Sequence, residues 1–149
     1  MPERSYGGLA MSVFQLTTME LGVHITEVLT PIYSLLDLGR FYFSSETRGA
    51  EGFYIFSDEK GYHMVYSERG CESTHKITDN LFEITFWVAD ALIGNIAFRS
   101  LGKDSDEMAD QRKFLFEQEL KLFEKLGPNY KKAAEIRIDE ILKEYPYEE

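Results

Sequence analysis

The sequence has few of the residues that crosslink proteins or bind phosphate. Its 149 residues include one cysteine, Cys71, so an internal disulfide is excluded. Lysine and arginine total 16 against 26 aspartates and glutamates, which gives a formal net charge of -10. Because such a charge repels a phosphate backbone, the composition argues against nucleic-acid binding and favours a basic partner.

Long hydrophobic runs are also missing. Glu3, Arg4 and two glycines precede no apolar segment of the kind that a signal peptide contains. The most apolar stretch, residues 79–101, is interrupted by Glu83 and Asp90 and falls short of about 20 uninterrupted apolar residues. We therefore predict a cytoplasmic protein that does not associate with a membrane.

The sequence contains no repeats, low-complexity tracts or interdomain linkers. Apolar residues make up 44% of the chain, enough for one hydrophobic core at this length. We predict a single domain over residues 1–149, with residues 1–10 disordered. The composition is compatible with either a monomer or a homodimer.

Residues 79–101 are predicted to form a central buried helix. Apolar side chains point in nearly every helical direction, so the polar stripe is too narrow for a surface helix. Asn80 and Glu83 have the spacing of a capping box, and Gly102 marks the end of the helix. Trp87 lies among apolar neighbours and is predicted to stabilise the core.

Asp90 is the unusual residue of this helix. A buried carboxylate without a partner is costly, so Asp90 must either face solvent or pair with a cation. We expect it to lie at the solvent edge.

The remaining pattern predicts an α+β fold. Thr17 and Glu20 form a capping box that starts the first helix, which is either kinked or broken at Pro31. Two amphipathic helices follow the central one, and Gly127 and Pro128 separate them. Between the first and central helices, aromatic and β-branched runs predict a small antiparallel sheet of three or four strands, at residues 53–56, 62–67, 71–77 and, as a further edge, 41–43.

The third of these strands carries the residues nearest to a catalytic or metal-binding pattern. Cys71, Ser73 and His75 are predicted to share one face because side chains alternate along a strand, and His63 lies on the neighbouring strand. The spacing does not match the close ligand pairs of zinc sites, and no oxyanion site accompanies the Cys71 and His75 pair. We predict no catalytic residues, no metal and no cofactor.

Two charged pairs need a separate explanation. Glu68 and Arg69 precede Gly70 at a strand end, where they either contact a partner or form a local salt bridge that holds the turn. Asp110 and Arg112 lie in the first turn of a helix, where we expect an ion pair that clamps this helix to the sheet.

Taken together, motifs from residue 61 to the end of the chain resemble a bacterial family, the immunity proteins of polymorphic toxin systems, type sixty-three. Tyr130 and Glu149 depart from the family pattern, which has tryptophan and aspartate at these positions. The matching residues are Tyr62, Tyr66, Glu68, Arg69, Gly70, Thr78, Asp79, Trp87, Asp110, Arg112, Phe116, Gln118, Leu126, Ile141, Leu142, Pro146 and Tyr147.

This resemblance implies a small cytoplasmic protein that binds a cognate toxin domain and blocks it without chemistry of its own. The toxins of such systems include basic nucleases, which the acidic charge would attract. The predicted partner contacts are Tyr62, Glu68 and Arg69, and the predicted structural clamps are Asp110, Arg112, Gln118, Trp87 and Tyr147.

Two alternatives stay open at this point. One is a small enzyme that uses Cys71 and His75. The other is a structural or regulatory subunit that has no toxin partner.

Overall fold

A computed structural model describes residues 14–46, 50–101 and 111–147. The predicted α+β architecture is confirmed, with helices before and after a four-stranded sheet. Predictions for residues 1–10, for Gly102 and for Asp110 lie outside the described residues. The elements are α1 (Thr18–Val28), a 3-10 helix (Thr30–Leu35), β1 (Phe41–Tyr42), β2 (Gly52–Asp58), β3 (Gly61–Glu68), β4 (Cys71–Thr78), α2 (Leu81–Arg99), α3 (Gln111–Leu126) and α4 (Pro128–Glu144).

Helix α1 begins with the predicted capping box. The Glu20 amide donates to Thr17 Oγ1 at 3.2 Å, and the Thr17 amide donates to Glu20 Oε1 at 2.9 Å. The helix ends at Val28, and Pro31 lies at the start of the 3-10 helix. Because proline lacks the N–H that an uninterrupted α-helix needs, the segment is broken rather than kinked.

The sheet has the order β1-β2-β3-β4, with antiparallel pairing of β2 with β3 and of β3 with β4. The edge strand β1 pairs parallel to β2, so the prediction of a wholly antiparallel sheet is wrong at this edge. Stacked rings hold this short pairing: Phe41 stacks on Phe53 and Tyr42 on Tyr54, each with centroids 4.9 Å apart. Aromatic cross-strand pairs of this kind stabilise a sheet.

Helix α2 packs against one face of the sheet and contacts α1, α3 and α4 as well. Its capping residue is Asn80, whose side chain accepts from the Glu83 amide at 2.9 Å. The prediction of a full capping box is wrong, because the Asn80 amide donates to Thr78 Oγ1, and Thr78 Oγ1 in turn donates to the Glu83 carboxylate at 2.6 Å. Each large apolar side chain removed from water here contributes roughly 1.5–3 kcal/mol. The core joins residues from the sheet, α1 and α2, among them Leu21, Ile25, Ile55, Tyr62, Met64, Ile84, Val88, Leu92 and Ile93.

Within the described residues, α2 is the one helix with the length and apolar composition of a membrane span. Glu83 and Asp90 therefore do not exclude a membrane span by composition, contrary to the prediction from the sequence. The same composition is expected of a helix that is packed on several sides in a protein core. The contacts of α2 with the sheet and three helices account for its apolar character.

The most buried aromatic residue of the helical layer is Phe123 on α3. Its side chain is fully buried and stacks on Phe86 of α2 with centroids 5.3 Å apart. Trp87 is only half-buried, and Lys76 Nζ lies 4.5 Å from its ring centroid. The indole therefore lies at the margin of the core, where one side meets the edge strand β4.

Asp90 is paired, and the expectation that it lies free at the solvent edge is wrong. Its Oδ1 atom is 3.0 Å from Arg137 Nη2, which also contacts Glu119 Oε1 at 2.6 Å. This triad joins α2, α3 and α4. Burial raises the pKa of Asp90 and of Glu119, and the Arg137 guanidinium opposes both increases.

We predict that Phe123→Ala lowers the free energy of unfolding by about 3–5 kcal/mol because it leaves a cavity in the core. Trp87→Ala should cost clearly less, since part of the indole is already in water. Urea unfolding, monitored by far-ultraviolet circular dichroism, measures the free energy of unfolding of both variants. This signal does not require tryptophan, so it can also be used for Trp87→Ala. Equal losses would show that Trp87 is as central as Phe123.

A second prediction concerns the triad. A carboxyl whose pKa is raised by folding binds protons more readily in the native state, so its ionisation destabilises the fold as the pH rises above about 4. Asp90→Asn should therefore be more stable than the wild type at pH 7, and this advantage should disappear as the pH falls through the raised pKa of Asp90.

The matched variant is Arg137→Met, which leaves the buried Glu119 carboxylate and the half-buried Asp90 carboxylate without their cation and should cost about 3–5 kcal/mol at pH 7. Urea midpoints of both variants and the wild type, measured from pH 4 to pH 8, check these expectations. A large loss of stability in Asp90→Asn at pH 7 would show instead that the ionised pair stabilises the fold.

Candidate functional site

The turn between β3 and β4 forms a hairpin tip, defined here as residues 68–71, all of them exposed. Arg69 has φ 56° and Gly70 has φ 79°. Two successive residues with positive φ are typical of a type I′ turn, whose twist matches that of the flanking strands. The hairpin thus holds Glu68 and Arg69 at the end of two eight-residue strands.

Arg69 occupies a backbone conformation that glycine or asparagine normally adopts. For other residues the left-handed region costs on the order of 1–2 kcal/mol. Within the described residues, the side chains of Glu68 and Arg69 form no ion pair with each other, so the local salt bridge that would explain the pair is not formed. Backbone strain at an exposed charged residue is a feature of functional sites.

Tyr62, the third predicted contact residue, lies in the core. Its side chain is 2% exposed and is on the helix-facing side of β3. The Leu16 amide donates to its hydroxyl at 2.9 Å, so the ring joins the start of α1 to the sheet. A side chain in this position offers no surface to a partner, and we assign Tyr62 a structural role.

A β-bulge separates Cys71 from His75. Tyr66 pairs with Thr74 but Ser67 pairs with Glu72, which leaves Ser73 as the extra residue. The extra residue breaks the alternation of side chains along β4. Cys71 therefore lies on the face of the sheet opposite to His75, and the prediction that Cys71, Ser73 and His75 share a face is wrong.

The same bulge places Glu72 on the face of His75, where four polar side chains of three strands are in contact. His63 Nε2 is 2.7 Å from Asp58 Oδ1, and His63 Nδ1 is 2.9 Å from His75 Nε2. His75 Nδ1 lies 3.3 Å from Glu72 Oε1. The hydrogen bond from His63, followed by the one from the Lys60 amide, lowers the pKa of Asp58.

This chain of contacts explains how β3 buries a histidine. His63 is almost fully buried and stacks on Phe56 with centroids 4.4 Å apart. Its two ring nitrogens both have partners, as burial of a polar group requires. Within the described ranges, no three His, Cys, Asp or Glu side chains converge in a way that could hold a metal ion.

Arg112 joins two segments of the chain. Its Nη1 and Nη2 atoms donate to the carbonyl oxygens of Tyr145 at 2.7 Å and Pro146 at 2.9 Å. The guanidinium lies 5.6 Å from the Tyr147 ring, which in turn lies 6.5 Å from the ring of Phe116. Arg112 therefore binds α3 to the chain that follows α4, because unpaired carbonyls at a helix end attract a cation.

Gln118, the remaining predicted clamp, is half-buried on α3. Its role stays a prediction, as does that of Asp110, which lies outside the described residues.

Two grooves were not predicted from the sequence. One, an apolar groove of about 660 Å³, lies between α1 and Phe43 and is lined by Met19 and Val23. The other, of about 390 Å³, lies between α2 and α4 and is called the α2–α4 groove below; it is lined by aromatic, aliphatic and charged side chains, which include Phe82, Phe86, Trp87, Ile136, Glu83, Arg137 and Glu140. The sequence signal for this groove is Ile136, an apolar residue that lies outside the row predicted to face the core. That row consists of Ala134, Ile138, Ile141, Leu142 and Tyr145.

Comparisons with known proteins bear on this arrangement. A protein-family model described as Immunity protein 63 matches residues 58–140, which run from the end of β2 into α4 and make up more than half of the chain. No curated protein and no solved structure matches the chain. The match includes the hairpin tip, Arg112, Gln118 and Trp87, and it confirms the resemblance on which their assignment was based. The chain therefore belongs to the Immunity protein 63 family.

Proposed function

We propose that this protein binds a cognate bacterial toxin domain in the cytoplasm and neutralises it by occupying its surface, without catalysis. The observation that carries the proposal is the hairpin tip. It presents two charges of opposite sign on a rigid pair of strands, at the cost of a strained backbone at Arg69. A fold selected for stability alone would place glycine or asparagine there.

Membership of the family supports a toxin as the partner. The charge of -10 supports a basic one, such as a nuclease domain, because opposite charges accelerate association. We propose no nucleic-acid or membrane partner. The protein would act as a monomer or as a homodimer.

A non-catalytic mode of action is supported by the position of the thiol. Cys71 and His75 lie on opposite faces of the sheet, so the histidine cannot activate the thiol. Nucleophilic catalysis needs the base within hydrogen-bond reach of the nucleophile. Neutralisation by binding needs only an accessible and complementary surface.

We predict that Arg69→Asn raises the stability of the protein while weakening its binding to the toxin domain. Asparagine tolerates positive φ, so up to about 1 kcal/mol of backbone strain is relieved. Loss of the guanidinium should weaken binding by roughly 1–4 kcal/mol, as should Glu68→Ala. The experiment co-expresses each variant with the toxin domain encoded beside it and measures survival, dissociation constant and melting temperature.

The turn between β2 and β3 supplies the matched control. Glu59 and Lys60 carry the same two charges, are exposed, and lie at the opposite end of β3. Glu59→Ala and Lys60→Ala should leave survival and affinity unchanged. Full binding by Arg69→Asn and Glu68→Ala would remove the hairpin tip from the interface, and a wild-type protein that neither binds nor protects would overturn the proposed function.

A further inference from the structure

The α2–α4 groove is an exposed surface that combines an apolar, largely aromatic floor with charged residues. Phe82 is 38% exposed and stacks on Tyr130 with centroids 4.6 Å apart, and Ile136 on α4 is 51% exposed. Between them, Phe86 is held by its stack on Phe123, and Trp87 is held under Lys76. Aromatic residues fixed in this way lose little freedom on binding, which is typical of interface hot spots.

The charge around the groove is negative. Glu83, Arg137 and Glu140 line it, and Arg137 is paired with the carboxylates of Asp90 and Glu119. Arg137 Nη2 contacts both of its carboxylates, so its charge is already matched. With Lys76, the formal sum is four negative against two positive charges, which leaves -2.

We infer that this groove is a second contact for the toxin domain and takes an apolar side chain that is flanked by lysine or arginine. The inference rests on the proposed function and deepens it. The apolar floor would bind the anchor, and the carboxylates of Glu83 and Glu140 would bind the flanking cation. Such a pairing of an apolar centre with a charged rim is the usual composition of a protein interface.

The position of the groove relative to the hairpin tip fits one interface. Strand β4 begins at the tip with Cys71 and ends at Thr78, two residues before the Asn80 cap that lines the groove. Eight residues in a strand span about 26 Å. A standard interface buries about 800 Å² on each partner and is therefore about 30 Å across, so one toxin domain can reach both contacts.

A second copy of this chain fits the groove less well. Each copy carries a charge of -10, and like charges brought together at an acidic groove repel each other. A basic toxin segment meets no such repulsion. The toxin domain is therefore the occupant that the electrostatics favour.

The test measures the dissociation constant of the toxin domain with Ile136→Ser and with Glu140→Gln. Both side chains are exposed, so the melting temperature should be preserved. Ile136→Ser should weaken binding by about tenfold or more. Glu140→Gln should weaken it at low ionic strength and have less effect at high salt, because salt screens exposed charges.

The matched controls are Val23→Ser, an exposed apolar residue of α1 outside this groove, and Glu135→Gln, an exposed carboxylate of α4 outside it. Neither should change the affinity. If the hairpin variants lose binding while Ile136→Ser and Glu140→Gln retain it, the groove inference is overturned and the proposed function stands.

Sedimentation of the protein alone tests whether a second copy of this chain occupies the groove. A wild-type dimer that Ile136→Ser converts to a monomer would assign the groove to a second copy and would also overturn the inference. A wild-type chain that fails to bind the toxin domain at all would overturn both proposals together. We expect a sedimentation profile that is the same for the wild type and the variant.

Discussion

The packing of α2 against the sheet on one side and against α1, α3 and α4 on the others is the constraint on which the rest of the structure depends. Ile84, Val88 and Leu92 of this helix are almost completely buried, and among the elements that the structure describes no other contacts as many neighbours. Because α3 and α4 pack on α2, its position also determines where Arg137 meets Asp90 and Glu119, and where the α2–α4 groove opens. The surface proposed to bind a partner is therefore a consequence of how the core is filled.

The hairpin tip depends on the same core in a different way. Tyr62 and Met64 anchor β3 on its helix-facing side, and the contacts of His63 with Asp58 and His75 tie three strands together on the other. A hairpin fixed along its length can hold a strained residue at its end, since the strain at Arg69 is small beside the burial energy of the strands. Stability and the proposed partner contact are thus divided between residues that share one hairpin.

Local signals in the sequence were sufficient for the order of elements, the capping box at Thr17, the N-cap at Asn80 and the turn at Gly70, because each depends on residues within a few positions of one another. Signals that depend on distant residues were not sufficient. Asp90 was expected at the solvent edge because its partner Arg137 lies far along the chain on another helix. Cys71 was placed on the wrong face because one unpaired residue, Ser73, shifts the alternation of side chains, and no sequence rule predicts such a bulge.

In the candidate site, the charge pattern in the sequence identified Glu68 and Arg69. The α2–α4 groove could not be predicted, because it is formed only when two helices pack together.

In the proposed mode of action, this protein presents a preformed surface and its core does not change when the partner binds. The most direct measurement follows the backbone amide resonances of the isotope-labelled protein as the unlabelled toxin domain is added. The account predicts the largest changes at Arg69 and Gly70 and around the α2–α4 groove, with small changes at buried positions such as Val88 and Leu92. Changes that cluster instead in the groove between α1 and Phe43, or that spread through the core of α2, would contradict it.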